Sequence, residues 1–141
     1  DRKKDIIITA GGKNIAPSNL ENALKHRPLI SQAMVLGDRR PYLVALLTLD
    51  EAAVGQWAEA RGLVDEDRAA LLTHPALRAE LQRSVDAVNA EVSRVEQIKR
   101  FAVLARDWSP DTGELTPTLK VRRTVVLEKY ASEVDALYAE R

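Results

Sequence analysis

The sequence predicts an α+β fold, a small mostly antiparallel sheet of about three strands covered by helices, with a β-hairpin at the N-terminus. Three observations lead to it. Two runs rich in Val, Leu and Ile, Ile30 to Leu36 and Tyr42 to Leu49, are separated only by Gly37, Asp38, Arg39, Arg40 and Pro41, so they read as antiparallel neighbours. Leu77, Leu81, Val85, Val88, Val92 and Val95 recur at helical spacing behind Pro75 and form one apolar stripe, a core-packing pattern. Ile6, Ile7 and Ile8 form a β-branched run broken by Ala10, Gly11 and Gly12, after which Lys13, Asn14 and Ile15 return as a second short strand.

The remaining elements follow in order. Pro17 and Ser18 open the first helix. Ser18 with Glu21 fits a capping box, and Pro17 alternatively fits the first helical position. Leu20, Ala23 and Leu24 supply its apolar face, and Pro28 ends it. Asp50 is placed as the N-cap of a helix reaching about Arg61, with Val54 and Trp57 on one face and Gly62 as its stop. A short helix is expected around Glu66 to Leu72. Ile98 to Ala105 supplies the third strand. From Val125 to the C-terminus the chain reads as helix, with Leu127, Tyr130, Val134, Leu137 and Tyr138 near one side.

A chain of 141 residues suits one domain with a real core. Its 21 Lys and Arg balance 21 Asp and Glu, which gives no general attraction to nucleic acid or anionic membrane. With no Cys there is neither a disulfide framework nor thiol chemistry, in keeping with a cytoplasmic protein. No apolar run approaches the roughly 20 residues of a spanning helix, and sparse aromatics disfavour a base-stacking surface. The chain opens at Asp1 inside a charged segment and reads as a piece of something larger.

No metal constellation is expected. His26 and His74 lie far apart beside Pro28 and Pro75, where surface or capping roles fit better. No spacing selects a nucleophile with its base, and Gly11–Gly12 lacks the trailing Gly-Lys-Ser/Thr of a phosphate-cradling loop. The inventory is rich in donors and cations. Among them Lys120 stands out, within Leu115 to Arg123 (LTPTLKVRR). Ser109 to Glu114 make a turn before it, and Pro117 excludes regular helix while biasing Thr116 toward extended backbone. A lysine held on such a loop can be aimed at an anion. On spacing alone, a solvated turn before a basic helix start is the plainer reading.

Together with the opening DRKKDIIITAGGKNIAPSNLE, this stretch resembles the small C-terminal domain of adenylate-forming acyl-CoA synthetases, most closely long-chain fatty-acid–CoA ligases. The likeness covers nearly the whole chain, residues 1–141, as one mobile domain without its large N-terminal partner. It implies activation of a fatty acid with ATP and Mg²⁺ to acyl-adenylate plus pyrophosphate, then acyl transfer to coenzyme A. No ligand is expected to be held tightly by the domain alone, which would be inactive in isolation. The enzyme would be cytoplasmic, with membrane association through the absent domain left open and no nucleic-acid partner.

By matching positions, Lys120 would be the catalytic cation bridging the carboxylate and the α-phosphate. Arg2 would contact the nucleotide, and Lys4 would be the hinge. Gly11 and Gly12 would let the pantetheine arm of coenzyme A pass once the domain has swung. The family often has Gly directly before the lysine, and Leu119 departs from this. Arg39, Arg40, Lys99 and Arg100 are candidates for the coenzyme A phosphates, or ordinary surface charge. An adenylating enzyme for another carboxylate, and a stand-alone anion-binding module, remain the alternatives.

Overall fold

No residue of the strand Leu43–Leu49 is exposed, and the other elements are arranged to cover it. In the computed structural model, which describes residues 6–63, 68–104 and 106–139, the chain runs as follows. Strands β1 (Ile7–Ile8) and β2 (Asn14–Ile15) form the N-terminal hairpin. Helix α1 (Pro17–Lys25) leads to β3 (Ile30–Leu36) and β4 (Leu43–Leu49). Helices α2 (Glu51–Ala60), α3 (Arg68–Leu72) and α4 (Pro75–Asn89) precede β5 (Ile98–Val103), and α5 (Arg123–Lys129) and α6 (Ala131–Ala139) close the chain.

The three longer strands lie in the order β3-β4-β5. A tight connection pairs β3 with β4 antiparallel. The long connection through α2, α3 and α4 returns β5 parallel to β4, as expected of a helical crossover. Alternation along β4 then sorts two cores. Leu43, Ala45, Leu47 and Leu49 face a cluster with Leu20, Leu24, Val54, Leu77, Leu81 and Val85 of α1, α2 and α4. Val44 and Leu46 face a second cluster with Leu104, Trp108, Leu115 and Val126, against which Val134, Leu137 and Tyr138 pack.

Helix ends follow local chemistry in most places. Asp50 accepts the Ala53 N–H at 3.1 Å, and Gly62, at φ 73°, ends α2. His74 caps α4 by accepting from Ala76 N–H through Nδ1, with Pro75 behind it. His26 is the C-cap of α1 and binds Asn22 O at 2.7 Å. Both histidines therefore cap helices.

Three expectations are corrected. There is no capping box on α1. Ala16 is the N-cap with no side-chain bond, Pro17 takes the first helical position, and Glu21 reaches the sheet instead. The apolar stripe does not continue through one helix to Val95. Helix α4 stops at Asn89, whose side chain donates to Ile98 O at 2.9 Å and accepts from Ile98 N–H at 2.8 Å, starting β5. Val92 packs on the first core from beyond the helix end. The C-terminal helix is broken at Tyr130, although neither Gly nor Pro marks the break. The break lets α6 fold back against β4 and β5, where Tyr138 Oη donates to Tyr42 O at 2.8 Å and the two rings lie 5.1 Å apart. The inward residue of α5 is consequently Val126, and Leu127 is exposed.

Leu47 is fully buried in the first core. Leu47→Ala should therefore cost about 2–5 kcal/mol in urea-denaturation stability, with the helical circular-dichroism signal retained in the absence of urea.

Candidate functional site

Lys120 stands on a tight β-hairpin closed by hydrogen bonds within its own loop. Arg122 N–H donates to Glu114 O at 2.7 Å, and Leu115 and Val121 form an antiparallel bridge. Thr116 N–H donates to Lys120 O at 2.8 Å. The Thr116 hydroxyl accepts Lys120 N–H at 3.0 Å and pairs with Thr118 at 3.1 Å. Leu119 N–H turns back to Thr116 O at 2.8 Å. Pro117, which cannot donate, lies in the turn where no ladder bond is needed. The side chain of Lys120 is exposed at the edge of a cleft of about 250 Å³, whose opposite wall is α1 at Pro17, Glu21 and Lys25.

The turn before the lysine requires a left-handed residue, and Leu119 supplies it at φ 68°. Glycine would take that conformation without strain. Leucine accepts it at a cost of about 1–2 kcal/mol.

Two anchors hold the hairpin. At its root, Leu115 is buried in the second core, and Glu114, 2% exposed, is ion-paired to Lys129 Nζ at 2.7 Å and accepts from the Thr112 hydroxyl. Burial works against the Glu114 charge. The hydrogen bonds from Lys129, Thr112 and its own backbone prevail, and the carboxyl is held below its usual range. At the other end, Arg123 donates through Nη1 to Glu21 Oε2 at 2.8 Å and through Nη2 to Val35 O at 2.6 Å. The same Glu21 oxygen accepts Val35 N–H at 2.8 Å. A carboxylate and a guanidinium thus grip both backbone polar groups of one residue of β3, tying α1, α5 and the sheet together.

The glycine hairpin is docked separately. Thr9 N–H donates to Lys13 O at 3.0 Å and Gly12 N–H to Thr9 O at 2.8 Å, closing its loop. Ala10 N–H donates to Arg40 O at 2.9 Å, Arg39 N–H to Ile8 O at 2.7 Å, and Ile8 N–H to Asp38 Oδ1 at 3.0 Å. Gly12 is needed by this chain's own backbone, at φ 87°. Gly11 is not: its φ is ordinary, and a Cβ there would come no closer than 4.0 Å to Thr9 Oγ1.

The sequence-selected residues therefore fall into groups. Lys120 lies against α1, and Gly11 and Gly12 lie beside Arg39 and Arg40. Lys99 and Arg100 lie elsewhere, on β5 beside α6 and Arg78. Arg100 donates to Leu137 O at 3.1 Å, and Arg40 stacks 4.4 Å above the Tyr138 ring. Burial pushes the Tyr138 phenol up to about 12, against the pull of Arg40. Arg2 and Lys4 lie outside the described residues. Among the described residues, no three His, Asp or Glu side chains are placed to share a metal ion. Sequence reasoning passed over Glu21 and Arg123 as a pair. Its signal was an acidic residue on helix α1 and the arginine that ends the lysine stretch.

With this geometry in place, comparison with known proteins is informative. The pattern of the AMP-binding enzyme C-terminal domain family matches residues 4–141. The chain is 48% identical over 138 residues to the long-chain-fatty-acid–CoA ligase FadD15 of Mycobacterium tuberculosis, covering 97% of this chain and 23% of that one. It is 34% identical over 158 residues to the long-chain-fatty-acid–CoA ligase ACSBG1 of Mus musculus, covering 99% and 22%. Among solved structures, the adenylation domain of a carboxylate reductase from Mycobacterium chelonae superposes with a TM-score of 0.73 at 28% identity, over 99% of this chain and 20% of that one. The corresponding domain from Segniliparus rugosus, in complex with AMP and a co-purified carboxylic acid, gives 0.76 at 25% identity, over the same shares. The chain spans less than a quarter of the length of the curated relatives it matches.

The Glu114–Lys129 pair gives a pH signature. Because the folded carboxyl titrates below its ordinary value of 4.5, its contribution is complete above that pH and is lost as pH falls through the folded value. Lys129→Met should cost about 2 kcal/mol at pH 7, the order expected for stranding a buried acceptor. Urea midpoints at pH 7 and pH 3 should then show a smaller acid loss in the variant than in the parent.

Proposed function

The chain belongs to the AMP-binding enzyme C-terminal domain family, and on that premise we propose that it is the mobile C-terminal domain of a long-chain fatty-acid–CoA ligase. A carboxylate oxygen of the fatty acid attacks the α-phosphorus of ATP, pyrophosphate leaves, and an acyl-adenylate forms. The thiol of coenzyme A then attacks the acyl carbonyl and AMP leaves. The carboxylate pocket and most of the ATP site belong to a large N-terminal domain of the same polypeptide. Mg²⁺, which neutralises the phosphates when bound, is assigned to no residue of this chain.

The observation that carries this reading is Lys120 itself. It is an exposed cation on a hairpin closed by its own bonds and anchored at both ends. In the first half-reaction two anions must meet, and a preorganised cation lowers that barrier without reorganising. Rigid anchoring to the domain, with the domain free to move as a body, lets the lysine be delivered for one step and withdrawn for the next. In this reading Lys4 is the pivot and Arg2 meets the nucleotide. Support for the substrate class comes from the identity to long-chain-fatty-acid–CoA ligases.

The glycine hairpin serves the second half-reaction. Gly12 is required by its own turn, whereas nothing among the described residues requires Gly11 to lack a side chain. A passing pantetheine arm accounts for it. Of the basic candidates, Arg39 and Arg40 are hydrogen-bonded to this hairpin and would travel with it to the coenzyme A phosphates.

Two substitutions in the full-length enzyme separate the roles. Lys120→Ala should lower adenylation by roughly 10²–10³-fold, by analogy with the loss of one preorganised donor, while thioester formation from supplied acyl-adenylate changes little. Gly11→Val should do the reverse, with the fold preserved by circular dichroism. Pyrophosphate release and acyl-CoA formation are the two measurements. Equal losses in both for Lys120→Ala would remove the lysine from this role.

A further inference from the structure

Three non-glycine residues among those described adopt positive φ: Leu29, Arg39 and Leu119. Leu29 is buried in the first core, where packing holds it, and Arg39 is a solvated polar residue. Leu119 has neither excuse. It combines a left-handed backbone with a side chain 56% exposed, the highest value among the exposed large hydrophobics. It joins neither apolar cluster. The turn needs only the φ, which glycine would take freely. The leucine side chain therefore adds strain and solvent-exposed apolar surface at the rim of the cleft, in neither apolar cluster of the described residues. Strain of that kind persists where function uses it, and the next residue is Lys120.

We propose that Leu119 is a docking knob: as Lys120 enters the active site, the Leu119 side chain is buried against an apolar surface of the large domain beside the carboxylate pocket. The occupant follows from position. Knob and cation sit one residue apart on one hairpin, so whatever receives the cation receives the leucine. The curated relatives are more than four times the length of the segment they share with this chain, which leaves the receiving body in the remainder of the polypeptide. Burial of the knob fixes the bearing of the hairpin, and Leu119 lines the same cleft as Lys120. The proposal rests on the adenylation role of Lys120, deepens it, and makes Leu119 a positioning residue.

The test uses the full-length enzyme with Leu119→Gly, Leu119→Ala and Leu119→Met, alongside Lys120→Ala. The glycine and alanine variants should lower the adenylation kcat about fivefold, the effect of losing burial of the exposed half of a leucine. Met, which keeps apolar length, should restore adenylation to within about twofold of the parent. Thioester formation from supplied acyl-adenylate should stay within about twofold for all three, because the hairpin is then withdrawn. The thermal midpoint of the isolated domain should not fall in Leu119→Gly, since the strain released offsets the added chain entropy. A role in supporting the fold would lower that midpoint and overturn the proposal. Equal losses in both half-reactions would also overturn it. If Lys120→Ala abolishes adenylation while Leu119→Gly and Leu119→Ala run at the parent rate, the knob alone is refuted. If Lys120→Ala leaves adenylation intact, the functional reading falls and the knob with it.

Discussion

A strand of seven residues with no exposed member obliges the chain to build a layer on each side of it, because successive side chains point to opposite faces. On one side of β4 the work is done by α1, α2 and α4, which close over Leu43, Ala45, Leu47 and Leu49. On the other side the C-terminal segment covers Val44 and Leu46 with Leu104, Trp108, Leu115 and Val126. The hairpin of Lys120 grows out of that second layer. Its root is held by hydrophobic burial, and its tip projects into solvent.

Burial alone would leave the hairpin free to swivel about its root. The pair formed by Glu21 and Arg123 limits this by gripping the N–H and the C=O of Val35 from outside. The bonds do a second service. Strand β3 is an edge of the sheet, and an edge residue with both backbone groups engaged is a poor template for another chain. Half-buried and charge-assisted, the pair is stronger than an exposed ion pair of the same geometry. The hairpin that carries Lys120 is in this way fixed to the sheet and to α1.

The two hairpins are built differently. That of Lys120 is closed by a threonine side chain and tolerates a leucine at a left-handed position. That of Gly11 and Gly12 is closed by Thr9 and docked by backbone bonds to the turn at Asp38, Arg39 and Arg40. One presents a charge, the other presents bare backbone. Both are loops fixed on a rigid scaffold.

Much of this was legible in the sequence, because the signals are local. The β-branched runs, the glycine turns, Asp50 as a cap, Pro75 at a helix start and the apolar spacing of α4 act over a few residues each, and all found their expected elements. Lys120, Gly11 and Gly12 could be singled out from their motifs. What sequence alone could not decide depends on partners distant along the chain. Glu21 has the spacing of a capping residue, yet it bonds to Val35 and Arg123, since a carboxylate gains more from a guanidinium and an edge amide than from the first turn of a helix already started by proline. The helix break at Tyr130 has no breaker residue and follows from the docking of Tyr138 on Tyr42. The parallel direction of β5 reflects the crossover helices, and the left-handed turn at Leu119 reflects the hairpin it closes. Local chemistry determined which elements form and where they begin; only the tertiary structure decided which side chains meet across them, because that choice is made by burial and by competition among distant partners.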